Sequence, residues 1–355
     1  MTTFVKAFSD LLALLLQAMR LSAVLPATLF VILNAIFVLP QFEGTEFYDI
    51  LQKYALSFSI NGIIVFSILL ISYSLMVLNI PIIRLFEGYP FLTCWLGRQL
   101  RQSHQHRMER IKSSIALLDE NIQKCQEQEK KPLSSEGIRG RRRQYEIERN
   151  LLVDELALTY PQHQVWRTLP TQLGNVIAAA EEYPSHLYEM DSVTLWPYLT
   201  PILTKEGYAP FIEKEKSIFD FLLNMTVLIL LFGVELAYVG LLLYGLQWQA
   251  IILPLGLTIT VAFGFYKLSI QGALGWGFTI RTAFVLYRGH LRKQLGLKRP
   301  KTHTQERVLW RKTSVFFRDH ARIQGDLIFD YKPEKADQDK AQSESTAVNI
   351  TSDKS

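Results

Sequence analysis

The chain has 355 residues, 49% of them hydrophobic and 20% charged, with a net charge of +5 and a mean hydropathy of +0.11. Two cysteines, Cys94 and Cys125, exclude a disulfide-stapled secreted scaffold, and both fall where a reducing cytosol is expected. The averages hide four nearly uncharged apolar stretches and a charge-dense segment, 98–216; the positive excess lies beside the stretches, which argues for membrane topology and against a nucleic-acid surface.

In chain order, residues 1–20 place Phe4, Phe8, Leu11, Leu12, Leu15 and Met19 at helical spacing. They lack a basic leader and a small-residue cleavage site, so they read as an interfacial helix or as an extension of the first span rather than as a signal peptide. Residues 21–90 form a first transmembrane hairpin, with spans at Leu21–Pro40 and Leu56–Ile83; about 20 apolar residues suffice to cross a bilayer. The linker between them is acidic, with Glu43, Glu46 and Asp49 against Lys53. Gly88 and Pro90 predict that the second span ends or bends at the inner interface.

Residues 91–160 predict a helical hairpin. Met108, Ile111, Ile115, Leu118, Ile122 and Cys125 alternate by three and four residues, an a/d seam of under three heptads. Pro132 breaks the pattern, and a second helix is expected over about Ile138–Leu158. Arg139, Arg141, Arg142 and Arg143 form a basic knot in that second arm. It suits acidic lipid headgroups or another anion; it equally suits a solvated helix face paired with Glu146 and Glu148.

Residues 161–218 are rich in proline and tryptophan and predict a turn-rich cap with one short helix, Thr171–Glu182, N-capped by Thr171 and stopped before Pro184. Residues 219–271 form a second transmembrane hairpin, with spans at Phe219–Leu246 and Ala250–Gln271. Residues 272–331 predict cytoplasmic juxtamembrane helices: Gly272, Gly275 and Gly277 interrupt the pattern, a bent helix carries Ile280, Phe284, Tyr287 and Leu291, and a short helix covers Glu306–Phe317. Residues 332–355 are polar, without aromatics, and read as a disordered tail.

Lysine and arginine gather after span 2 (Arg84, Arg98, Arg101, Arg107) and after span 4 (Arg281, Arg288, Arg292, Lys293, Lys298, Arg299, Lys301). Cytoplasmic flanks carry that excess, so both termini and the central insert are expected in the cytoplasm, in a bacterial inner (plasma) membrane.

Two ionisable residues fall inside spans, Glu235 and Lys267. Such groups are functional candidates because they are costly in lipid. At 1.5 Å per residue, Glu235 lies roughly 15 Å and Lys267 roughly 25 Å from the outer turn. A direct pair is therefore not assured, and Lys267 can snorkel to the inner interface. Glu235 has no such escape and can face a subunit interface, a cavity or a buried network. Gly233, Ala237 and Gly240 line up beside it, as small residues do where helices approach closely. Asn34, Asn61, Asn79 and Asn224 can bond across helices. His104 and His106 cannot share a helix face, and no HExxH, CxxC, Walker or GxSxG pattern occurs. No catalytic residue, metal site or cofactor is assigned.

The pattern Thr171-x-Leu173-Gly174-Asn175, then Ala180-Glu181-x-Tyr183, Tyr188-x-x-Asp191 and Trp196-Pro197, resembles a widespread group of uncharacterised bacterial multi-pass membrane proteins. Arg84-Leu85-Phe86-Glu87-Gly88-Tyr89 and 284–310 are similar to the same group. The resemblance spans most of 80–310 and brings no activity with it. Topology alone resembles bestrophin-type anion channels, without a shared sequence motif.

The expectation is an all-α integral membrane protein: four transmembrane helices in two hairpins, with a cytoplasmic helical hairpin and a proline-rich cap inserted between helices 2 and 3. Its expected function is non-enzymatic, a cytoplasmic platform on the lipid bilayer that binds a protein partner or forms a homo-oligomer. The alternative is an oligomeric channel or transporter with Glu235 in a pore or cavity.

Overall fold

The computed structural model describes residues 21–45, 48, 60–130, 136–162, 167–245 and 247–319. The expected interfacial helix at 1–20, the hairpin tip at 131–135 and the tail lie outside these. Every regular element among the described residues is helical.

An apolar run in lipid must satisfy its backbone internally, which makes helix the default. Helix α1 (Leu21–Leu33) continues through one π turn (Asn34–Val38) and a 3-10 turn (Leu39–Phe42). Helices α2 (Ile60–Val77) and α3 (Asn79–Glu87) meet at a 56° bend. Pro81 explains the position of the bend: it cannot donate to the carbonyl of Val77, and its ring crowds that carbonyl. Gly88 then ends α3 in the left-handed region, φ +93°, its N–H returning to the carbonyls of Arg84 and Leu85.

Helices α4 (Trp95–Glu129) and α5 (Glu136–Thr159) run antiparallel as the expected hairpin. The seam faces inward: Met108, Ile111, Leu118 and Cys125 are buried, and Ile115 and Ile122 are half-buried. Ion pairs stitch its sides, Arg107–Glu155 at 2.9 Å, Asp119–Arg149 at 2.6 Å and Glu129–Arg142 at 3.2 Å.

The proline-rich segment differs from expectation. It holds two helices, α6 (Gln172–Tyr188) and α7 (Ser192–Lys205), rather than one. Helix α6 runs through Pro184 and ends at Glu189, whose φ is +57°. A proline near a helix end forfeits a single hydrogen bond, and here the ring is buried against the core, which offsets that loss. Pro197 and Pro201 likewise sit inside α7.

Helices α8 (Ala209–Tyr244) and α9 (Trp248–Gln294) form the largest packed pair, turning at Gly245. Helix α9 does not break at its glycines. A Cβ on Gly272 would stand 3.1 Å from the Phe219 Cα, and one on Gly277 would stand 2.8 Å from the Ala180 Cβ. These glycines admit neighbouring helices to close range, and the helix continues past them. Helix α10 (His303–Asp319) closes the described chain.

Three helical runs, those of α1, α8 and α9, are long and apolar enough to cross a membrane, and the bent pair α2–α3 makes a fourth if counted as one span. One large buried cluster joins Ala23, Leu75, Ile82, Leu173, Phe219 and Ile270, so α6 packs into the ends of the candidate spans. A second cluster, with Leu199, Phe284, Leu291 and Trp310, binds α7, α9 and α10.

Candidate functional site

Two separated parts of the sequence pattern meet in space. Helix α3 ends against the start of α6, and Thr171 serves both ends. Its hydroxyl lies 2.8 Å and 2.9 Å from the carbonyls of Phe86 and Glu87, which α3 leaves without intrahelical partners, and it accepts from the Gly174 N–H at 3.0 Å. Tyr266 of α9 stands close to Thr171 and Leu173 at the same joint. Gly174 makes the contact possible, since a Cβ there would stand 2.3 Å from the Glu87 carbonyl oxygen. Asn175, fully buried, fixes the approach to α6: it accepts from Leu169 N–H at 2.7 Å and donates to the carbonyls of Leu169 and Thr171.

Around this joint lies a charged cluster. Glu87, four residues past the end of the apolar run, is buried beside Glu181 and Arg84. Burial, then the Glu181 carboxylate, pushes its carboxyl up to about 7, against the pull of Arg84. Burial also raises the Glu181 carboxyl, opposed by Arg167 at 3.5 Å. The Tyr89 phenol is raised, first by partial burial and then by both carboxylates. Among the described residues no three His, Cys, Asp or Glu side chains are grouped so as to hold a metal ion.

The remaining residues of the pattern stand elsewhere. Tyr183 meets the guanidinium of Arg281, 5.1 Å from its ring centre. Asp191 caps α7, accepting from the Thr194 N–H and hydroxyl, while its own N–H donates to Ser314. Trp196 packs 6.1 Å from Phe284. These three read as parts of the packing between α6, α7, α9 and α10.

Glu235 and Lys267 do not pair. The Lys267 ammonium lies 3.2 Å from Gln172 at the start of α6 and 5.4 Å from the Phe263 ring centre. Glu235 stands close to Asn34, the first residue of the π turn, and its Oε2 is buried without a hydrogen-bond partner among the described residues. π turns recur at functional sites because the extra residue redirects a side chain. The small-residue face is a true close approach: a Cβ on Gly233 would stand 2.0 Å from the Thr258 hydroxyl, and one on Gly240 would stand 2.6 Å from the Ala250 carbonyl. Asn224 donates to the Ser22 carbonyl at 3.0 Å, a bond between α8 and α1.

The basic knot divides. Arg142 pairs with Glu129 and, at 3.7 Å, with Glu146. Arg139, Arg141 and Arg143 are exposed. The knot starts α5 and lies about 27 Å along the helix from Thr159 at the hairpin base.

Two features escaped sequence reasoning. Lys216 and Asp220 form a 2.6 Å pair at the start of the apolar run of α8, with Asp220 3% exposed, and Lys216 also donates to Asn79 of α3 at 3.2 Å. The i,i+4 spacing was a legible signal for that pair. Arg281, which sequence reading counts only as a topological charge, is buried and donates to the Ala157 carbonyl in the last turn of α5. Nothing in sequence marks that contact, because it links positions 124 residues apart.

Comparison with known protein families, characterised proteins and solved structures finds no match. The functional reading therefore rests on geometry.

Proposed function

We propose that the protein is a non-enzymatic bacterial inner-membrane protein whose α4–α5 hairpin is a cytoplasmic platform for a protein partner or a second copy of the chain. Its four spans insert as two hairpins, with both termini in the cytoplasm. The observation that carries the reading is the hairpin's outer surface. Its inner seam is satisfied, yet Leu117, Ile147 and Leu151 remain 59%, 57% and 65% exposed. The Asp119–Arg149 pair sets a register that puts Leu117 level with Leu151. Exposed apolar residues grouped on an extended arm mark contact surfaces more often than isolated ones do.

Excising 107–156 tests this. Arg107 and Glu155 face each other at 2.9 Å, so the cut ends can be rejoined by a short turn. The shortened chain should still insert in the membrane but lose partner capture and self-association by crosslinking. Unchanged association would overturn the platform reading.

The contact between Glu235 and Asn34 favours a second reading, an oligomeric channel or transporter with Glu235 at a cavity. In proteoliposomes Glu235→Gln should then change ion flux; absence of flux from verified oligomers across several gradients and voltages counts against it.

A further inference from the structure

Beyond the spans, α9, the start of α10 and the turn between them line an open cleft of about 530 Å³. Arg288, Arg292, Arg299, Lys301 and His303 line it, with Glu306 as its one carboxylate. Glu306 is engaged by Arg288 at 3.0 Å. Arg288 is further held over the Tyr188 ring, 4.4 Å from its centre. That leaves Arg292, whose Nη1 donates to the Leu297 carbonyl at 2.5 Å, and the exposed Arg299 and Lys301 with no carboxylate partner among the described residues, all three lining one cleft. Helix α10 begins on the rim at His303, after Thr302 caps it by accepting from the Gln305 N–H at 3.3 Å. Its positive end adds to the field of the side chains. Gly289 sits in the lining with open space where a side chain would stand.

Membrane topology, to which the sequence pattern assigns these cations, does not by itself account for the far members of the group. The lysine and arginine bias acts within about 15–20 residues of a span end. Arg299 and Lys301 lie 28 and 30 residues beyond Gln271, the end of the apolar run. Helix α9 is continuous from Trp248, and 40 residues of it reach Arg288, about 60 Å at 1.5 Å per residue. The hydrocarbon core takes about 30 Å of that length.

We propose that this cleft binds a phosphate-bearing molecule, its phosphoryl oxygens held by Arg292, Arg299 and Lys301 at the start of α10. Arginine forks and a helix N-terminus match phosphate geometry and charge. The volume suits a small phosphorylated molecule rather than a lone ion, since ligand pockets span roughly 300–1,000 Å³. The same chemistry belongs to a soluble phosphorylated compound and to a phospholipid headgroup.

The test uses the full chain in phosphatidylcholine nanodiscs, titrated calorimetrically with inorganic pyrophosphate. Saturable binding is expected, weakened about tenfold or more in Arg299→Gln/Lys301→Gln. Gly289→Leu, which fills the cleft and leaves its charges in place, should also abolish binding. No saturable binding by the parent chain, or binding unchanged in both variants, overturns the site. An equal loss in Lys205→Gln/Lys214→Gln, two exposed cations elsewhere, also overturns it in favour of general charge attraction. Competition with a water-soluble short-chain phosphatidylglycerol then separates the sources. Displacement of pyrophosphate supports the site with a headgroup as ligand; persistence supports it with a soluble phosphorylated ligand.

Discussion

The α8–α9 pair and the α4–α5 pair are both long antiparallel hairpins, yet they are held together by different physics. In α8–α9 the helices approach at glycines, Gly233 on Thr258 and Gly240 on Ala250, and Gly272 admits Phe219. In α4–α5 a short seam of Met108, Ile111, Leu118 and Leu156 is flanked by exposed ion pairs. At those glycines the first pair has no room for an added side-chain atom. The second tolerates substitution over most of its surface. A spine and an arm result, and Arg281 ties them by reaching from α9 to the last turn of α5.

That contrast can be broken at the joint between α3 and α6, which follows the rules of the spine. Gly174→Val should be the most damaging change, about 3 kcal/mol or more, because the new Cβ meets the Glu87 carbonyl and backbone cannot yield cheaply. A lower melting temperature in detergent, with loss of the buried-tryptophan signal, checks it; a melt within a degree or two of the parent would refute the close approach. Asn175→Ala follows, at about 2–3 kcal/mol, since it strands the Leu169 N–H and carbonyl in the core. Asn175→Asp should recover only part of this, because a carboxylate keeps the acceptor and loses the donor.

Glu87 sharpens the comparison with pH. Folded, its carboxyl holds a proton up to about pH 7, against 4.5 when free. The folded state therefore binds more protons between those values, and stability falls as pH rises from about 5 to 8. Glu87→Gln should add about 1–2 kcal/mol at pH 8 and flatten that slope. A slope that persists in the variant would assign the titration to another group. The smallest effect belongs to the arm: Asp119→Asn should cost under about 1 kcal/mol, since exposed ion pairs contribute little. Hydrogen exchange should show α4–α5 opening before α8–α9, because it buries fewer apolar contacts.

Much of the helical layout is legible from local pattern. The seam from Met108 to Cys125, the N-cap at Thr171 and the stop at Gly88 are short-range signals, and each stands where periodicity and capping chemistry place it. Pro184 and the glycines of α9 mislead for a common reason: local rules read them as breaks. Buried packing overrides a single lost hydrogen bond at Pro184. At Gly272 and Gly277 the missing side chain is what lets another helix in.

The candidate site divides along the same line. Arg84-Leu85-Phe86-Glu87-Gly88-Tyr89 and Thr171–Asn175 are recognisable as strings, but their docking is not, because the bond from Thr171 to Phe86 spans 85 residues. Lys267 reaching Gln172, Asn34 meeting Glu235 and the three cations around the α9–α10 cleft are likewise products of tertiary placement. Composition and periodicity dictate helices, their apolar lengths and most of their ends, since those depend on neighbours three or four residues away. Which carboxylates are buried together, which cations share a cleft and which glycines are contacts depend on helix approach. That is set by the whole core, and no local window of the chain contains it.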